Sequence, residues 1–180
     1  MPFVAVPLVG NEKVDAASRG LAMVYNIPII AGRKVNDPAN PPRSAYGVMA
    51  MRGTPAILCE SGQQGILKLE EVETHLVGLR NILIHLGMMA GQIVNTVKRS
   101  FSEEHLAIRS EHVGMWYPCV KLGEWVKKDQ VVGHIRDYFG QEIAQVKAAF
   151  DGLVTVIRTS PSVGIGNVVL EHDRITGREE

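Results

Sequence analysis

The spacing of apolar residues changes kind near Gly91, so the chain has to build two differently organised parts. Before Gly91, short apolar runs alternate with helical patterns. Phe3 to Val9 predicts a strand, and Gly10-Asn11 offers a helix start. Val14, Ala17, Leu21 and Val24 then recur every three or four residues between Glu12 and Tyr25. Ile27 to Ile30 predicts a second strand ended by Gly32, followed by a turn-rich loop from Asn36 to Pro42. Ser44 is placed to cap a short helix through Arg52, with Gly53 ending it. Pro55 to Glu60 predicts a third strand. Leu69 to Leu86 carries the strongest helical pattern, with Val72, Leu76, Leu79, Leu83 and Leu86 on one face and Gly87 at its end. Such alternation of strand and helix implies parallel strands with helices packed on the sheet.

After Gly91 helical periodicity disappears. Short runs rich in Val and Ile are separated by Gly and Asp: Gly123–Val126, Val131–Ile135, Gln141–Val146, Asp151–Ile157 and Asn167–Leu170. Regularly spaced short strands with such turns predict a small all-β barrel or sandwich. The boundary falls between Gly91 and Thr96, giving an α/β part over residues 1–91 and a β part over residues 92–180, frayed from Thr176.

Composition narrows the function class. Lys plus Arg and Asp plus Glu balance at 19 each, leaving none of the basic excess of a nucleic-acid binder and no charge run for an anionic membrane surface. The two cysteines, Cys59 and Cys119, belong to no C-x-x-C, which argues against a thiolate zinc site and suits a reducing cytoplasm. The apolar start has no positive n-region and is far shorter than a membrane span, so it predicts a buried strand.

Glu60 is the leading candidate for chemistry. It ends an apolar strand just before Ser61-Gly62, and in open parallel sheets ligands gather outside the carboxyl ends of the strands. A carboxylate beside an activated water can remove a proton and later return it to a leaving amine.

The segment Gly53-Thr54-Pro55-Ala56-Ile57-Leu58-Cys59-Glu60-Ser61-Gly62, then Gly65 and the helix from Glu70 to Leu83, resembles the late catalytic segment of the succinylglutamate desuccinylase/aspartoacylase family, a branch of the zinc carboxypeptidase superfamily. The resemblance implies a partial parallel or mixed sheet of zinc-carboxypeptidase type followed by a β barrel-sandwich. It also implies amide hydrolysis with Glu60 as general base and acid. The family's substrate-contacting Tyr maps onto Tyr46, fourteen residues before Glu60, but its carboxylate-binding Arg maps onto Ala50, leaving Arg43 or Arg52 to serve from nearby.

The family holds zinc through an H-x-x-E pair and a later His. Here only His134 has an acid three residues on, Asp137, and that pair lies in the β part. By comparison with the family, the chain begins just after the third ligand. Zinc is therefore expected in a full-length parent enzyme and not in this chain alone. His75 and His85 fall on the long helix as polar-face or satisfied core residues. In the β part, Gly123 to Gly133 with Asp151-Gly152-Leu153-Val154 resembles lipoyl and biotinyl carriers. The hairpin Asp137-Tyr138-Phe139-Gly140-Gln141 lacks the carrier lysine, and Lys147 lies beyond it.

These readings together predict a cytoplasmic zinc-dependent deacylase acting on a small N-acylated amino acid, represented by its later part. No nucleic-acid or membrane partner is expected, whereas a homo-oligomer or association through the truncated α/β part is. The alternatives are a peptidase of the same superfamily and a non-catalytic β-barrel module.

Overall fold

The computed structural model describes residues 1–35 and 42–179, so the expected loop over Asn36 to Pro42 lies, apart from Pro42, outside the described residues. The chain forms two compact units. One comprises residues 2–103 with the end of the chain from Thr176, and the other comprises Met1 with residues 104–175.

In the first unit β1 (Phe3–Leu8), α1 (Glu12–Val24), β2 (Ile29–Lys34), α2 (Ala45–Met51), β3 (Leu58–Glu60) and α3 (Leu69–His85) follow in the expected order, and β4 (Ser100–Arg109) starts there. Asn11 caps α1, its side-chain oxygen accepting from the Val14 amide at 3.3 Å. Ser44 precedes α2, but its side chain makes no capping bond. The strand order is β3-β1-β2-β4. β1 and β2 pair in parallel, as do β2 and β4, whereas β3 runs antiparallel to β1 with Phe3 opposite Glu60. The sheet is therefore mixed, and the expectation of parallel strands fails at β3. Alternation of element types does not fix direction, and the long link from Lys34 to Leu58 can enter the sheet from either end.

Val4, Val6, Ala22, Tyr25, Ile27 and Ile30 form the core of this unit, with Ile57, Cys59, Ile82 and Phe101 packed on it. α3 meets this core through Gly78 and Asn81, its buried residues. A Cβ on Gly78 would stand 2.5 Å from the Tyr25 ring, so only glycine permits this approach. The Asn81 side chain donates to the carbonyls of Val24 at 2.8 Å and Val94 at 2.7 Å and accepts from the Val94 amide at 2.9 Å. The leucine stripe of α3 points away from the core, although its periodicity suggested a packing face. The end of the chain is held rather than frayed. Thr176 donates to the Phe101 carbonyl at 3.2 Å, and the buried Arg99 guanidinium donates to both Glu179 carboxylate oxygens at 3.0–3.1 Å.

The second unit contains the later part of β4 with β5 (Gly114–Pro118), β6 (Trp125–Val126), β7 (Val131–Arg136), β8 (Glu142–Lys147), β9 (Gly152–Ile157), β10 (Ser162–Val163) and β11 (Val168–Arg178), which ends in the first unit. One sheet runs β4-β11-β9-β6 and another β10-β5-β7-β8. Residues from both, including Trp116, Val126, Ile135, Val154 and Leu170, share one core. Among the described residues no sheet closes on itself, so of the barrel or sandwich that was expected a closed barrel is not seen, and two open sheets share the core. The β7–β8 hairpin is shaped by Asp137, whose carboxylate accepts from the amides of Phe139 and Gln141, each at 2.9 Å.

Inside this unit His172 is fully buried and stacks on Phe150 with ring centroids 4.2 Å apart. Burial pushes its pKa below the ordinary 6.5, and the adjacent Asp173 carboxylate offsets only part of that. Asp173 accepts from Thr155 at 2.7 Å, and His105 lies 3.5 Å from Glu171 and 3.6 Å from Asp173. The unfolded chain takes up a proton on His172 below about pH 6.5 while the folded chain resists it. The contribution of His172 is therefore complete above that pH and is lost as pH falls below it. Denaturant melts at pH 7.5 and 5.5 are expected to show a steeper acid loss for the natural chain than for His172→Gln. Equal slopes would remove His172 as the cause. Among the described residues, no helix is long and apolar enough to cross a membrane.

Candidate active site at the end of β3

The approach to β3 is pinned by Ser18, a buried residue of α1 whose hydroxyl accepts from the Ala56 amide at 3.1 Å. The strand then carries Leu58, Cys59 and Glu60, and successive side chains point to opposite faces. Cys59 and the following Ser61 therefore share one direction and Glu60 takes the other. Gly62, with φ at +79°, turns the chain away immediately afterwards.

Both residues flanking Glu60 are tied to the same pair of rings. The Ser61 hydroxyl bonds His75 Nε2 at 2.8 Å, and His75 Nδ1 bonds the Tyr25 hydroxyl at 2.9 Å. Cys59 packs against the core cluster that contains the Tyr25 ring. Burial raises the pKa of the Tyr25 hydroxyl above its ordinary value, with Cys59 adding to the effect, so the phenol stays neutral. Burial likewise pushes the Cys59 thiol up to about 12, against a smaller opposing effect of the nearby Tyr25 hydroxyl. A neutral imidazole donates from one nitrogen and accepts at the other, so His75 can link these hydroxyls without carrying charge. The Ser61–His75–Tyr25 bonds, with Cys59 packed on the same core, thus hold the backbone on either side of Glu60.

The Glu60 carboxylate itself is exposed and, among the described residues, makes no side-chain hydrogen bond or ion pair. Because β3 is antiparallel to β1, Glu60 lies beside Phe3 at the start of β1, not beside the carboxyl ends of β1 and β2. The rule for open parallel sheets therefore gives no support to this position, and the local hydrogen-bond chain is the better argument for it. Ser61 and His75, with Lys68 and Glu71, line an open cleft of about 320 Å³, which Glu60 does not line.

Tyr46 is half-buried on α2, and Arg43 is exposed just before that helix. Among the described residues, no hydrogen bond or ion pair joins either of them to Glu60. Ala50 is buried, so its site offers nothing to a substrate carboxylate. The sequence reading left Tyr25 and Ser61 out, since they lie 50 and 14 residues from His75 and no local spacing links them. His75 is a satisfied residue, bonded at both nitrogens. Among the described residues, no group of three or more His, Cys, Asp or Glu could hold a metal ion, so these residues do not fit the family's zinc.

A mixed sheet carrying three helices, with an acidic residue at the end of its outermost strand, defines the chain's first unit as a mixed α/β fold. The whole chain shares its fold with solved structures of the succinylglutamate desuccinylase/aspartoacylase family. A succinylglutamate desuccinylase/aspartoacylase from Rhodobacter sphaeroides matches 98% of this chain over 54% of its own length, with a TM-score of 0.81 and 17% identity. The product-bound ectoine utilization protein EutE from Ruegeria pomeroyi matches 96% over 53% of its length, with a TM-score of 0.79 and 22% identity. An aspartoacylase family protein from Mesorhizobium loti matches 98% over 53% of its length, with a TM-score of 0.73 and 17% identity. The chain spans about half the length of the solved structures it matches. No protein-family model and no curated protein matches its sequence.

Proposed function

We propose that this chain is the later part of a zinc-dependent deacylase that hydrolyses the amide of a small N-acylated amino acid. The observation that carries the reading is the fold shared over 98% of the chain with a desuccinylase/aspartoacylase structure. In this reading Glu60 takes a proton from the attacking water and delivers it to the departing amine, while the Ser61–His75–Tyr25 bonds hold the strand end from which it projects. Tyr46 contacts the substrate, and Arg43 takes the place of the family arginine that Ala50 lacks. The metal is assigned to no residue of this chain, and its ligands would come from polypeptide outside the described residues.

A panel of N-acetyl and N-succinyl amino acids, offered to the chain joined to the polypeptide that carries the metal ligands, tests this. Release of the free amino acid is expected, with none from the isolated chain. Release of C-terminal residues from peptides, with the panel untouched, would favour the peptidase instead. The absence of a metal-holding group among the described residues also motivates a non-catalytic module. Ligand binding by the isolated chain without zinc, and no hydrolysis by the assembled protein, would support that reading.

A further inference from the structure

The bonds at the end of β3 hold a serine hydroxyl against an imidazole nitrogen, and that pair can do more than brace a strand. Ser61 Oγ lies 2.8 Å from His75 Nε2, within the range over which a base takes a proton from a nucleophile. The other ring nitrogen, Nδ1, is held 2.9 Å from the Tyr25 hydroxyl, which orients the ring as the third member of a catalytic triad does. Among the described residues, His75 is the only hydrogen-bond partner of the Ser61 side chain. Donation of the Ser61 proton to Nε2 places the proton of the neutral ring on Nδ1, directed at the Tyr25 oxygen.

Ser61 and His75 are both half-buried and line the open cleft of about 320 Å³, so the hydroxyl can be approached from solvent. A cleft of that size admits a small ligand. Gly62, Gln63, Gln64 and Gly65 line the same cleft, and among the described residues their amides donate to no backbone carbonyl. Amides of this kind are the donors that stabilise the oxyanion of acyl transfer.

We infer that Ser61 and His75 form a metal-independent acyl-transfer dyad that cleaves small activated carboxylic esters in this cleft. The Ser61 oxygen attacks the ester carbonyl carbon as its proton passes to His75 Nε2. The tetrahedral intermediate collapses by breaking the bond to the alcohol oxygen, which takes that proton from Nε2. Water then attacks the acyl-serine and gives a proton to Nε2. Release of the carboxylic acid returns the proton to Ser61 and restores its hydroxyl. Tyr25 is a neutral phenol and not the carboxylate that stabilises a triad's imidazolium, so the dyad suits good leaving groups and not amides. The inference uses residues of this chain alone. It does not depend on the deacylase reading, whose proton passes through Glu60 on the other face of β3.

Incubating the intact chain with a fluorophosphonate, in the presence of a chelator, tests it. Attack of the Ser61 oxygen on phosphorus expels fluoride, and peptide mapping should find the phosphonyl group on Ser61 and on no other serine. With p-nitrophenyl acetate, a burst of nitrophenol followed by slower turnover is expected, the kinetic mark of an acyl-enzyme. His75→Gln should slow both reactions roughly 10²–10⁴-fold, and Ser61→Ala should abolish them. Mapping the label on the natural chain keeps the answer independent of how the variants fold. The ring nitrogen chemical shifts of His75 should place its proton on Nδ1. Tyr25→Phe should lose that preference and slow the labelling with it. An unlabelled Ser61, a labelling rate indifferent to His75→Gln, or a proton resident on Nε2 overturns the inference.

Discussion

Exchanging Glu60 for Gln is expected to lower amide hydrolysis roughly 10²–10⁴-fold, the usual share of a general acid–base group. The substitution keeps the shape of the side chain and removes its capacity to take a proton. Because the Glu60 carboxylate is exposed and makes no side-chain bond among the described residues, no folding contact is lost with it. Thermal melts of the variant should therefore overlay those of the natural chain, and bound metal should stay the same. The loss should appear in kcat with KM nearly unchanged, since an interaction confined to the transition state has been removed. Near-normal turnover in the assembled enzyme would take Glu60 out of the mechanism.

Gly78→Ala is expected to destabilise the first unit by about 2–3 kcal/mol, as overpacking of a buried contact does. Helix propensity alone predicts the opposite sign, because alanine is favoured over glycine inside a helix by about 1 kcal/mol. The geometry decides between them. The new methyl carbon would meet three atoms of the Tyr25 ring at 2.5–2.7 Å, and that ring is buried in the core with its hydroxyl tied to His75. Relief requires either α3 to lift or Tyr25 to leave its pocket, and leaving would break the hydrogen-bond chain behind Glu60. Denaturant midpoints give the sign directly, and the His75 ring resonances report whether Tyr25 has moved. A more stable variant would mean that the Tyr25 ring shifts freely and that the close approach does not constrain the fold.

Much of the first unit is legible in the sequence because its elements announce themselves locally. Asn11 before an apolar periodicity marks the start of α1, and Gly87 marks the end of α3 with φ at +70°. What the sequence does not carry is direction. A run such as Leu58-Cys59-Glu60 looks the same whether it enters the sheet parallel or antiparallel, so the inversion of β3 was invisible. Periodicity located α3 and its leucine stripe but suggested the wrong side as the packing face. That was settled by Gly78 and Asn81, where a missing side chain and a bridging amide allow close packing. β4 and β5 escaped notice because Ser100–Arg109 mixes charged and apolar residues without clean alternation, and Gly114–Pro118 contains two exposed positions in five. The end of the chain looked like a frayed tail until Thr176 and Glu179 found partners at Phe101 and Arg99. Of the candidate site, Glu60 could be named from its segment. The residues that hold it in place could not, because Tyr25, Ser61 and His75 meet only after the sheet and α3 have assembled.

The burial that pushes the Cys59 thiol up to about 12 has a practical chemical consequence. Alkylating reagents attack the thiolate, which at neutral pH is then a vanishing fraction of Cys59. Cys119 is exposed, so the folded chain should titrate as a one-thiol protein although its sequence holds two cysteines. Cys59 sits one residue before Glu60 and is half-buried against the core that contains Tyr25, so its modification is slowed while that corner of the sheet stays closed. The appearance of the second label therefore times the breathing of the strand end that carries Glu60, without any substrate or metal present.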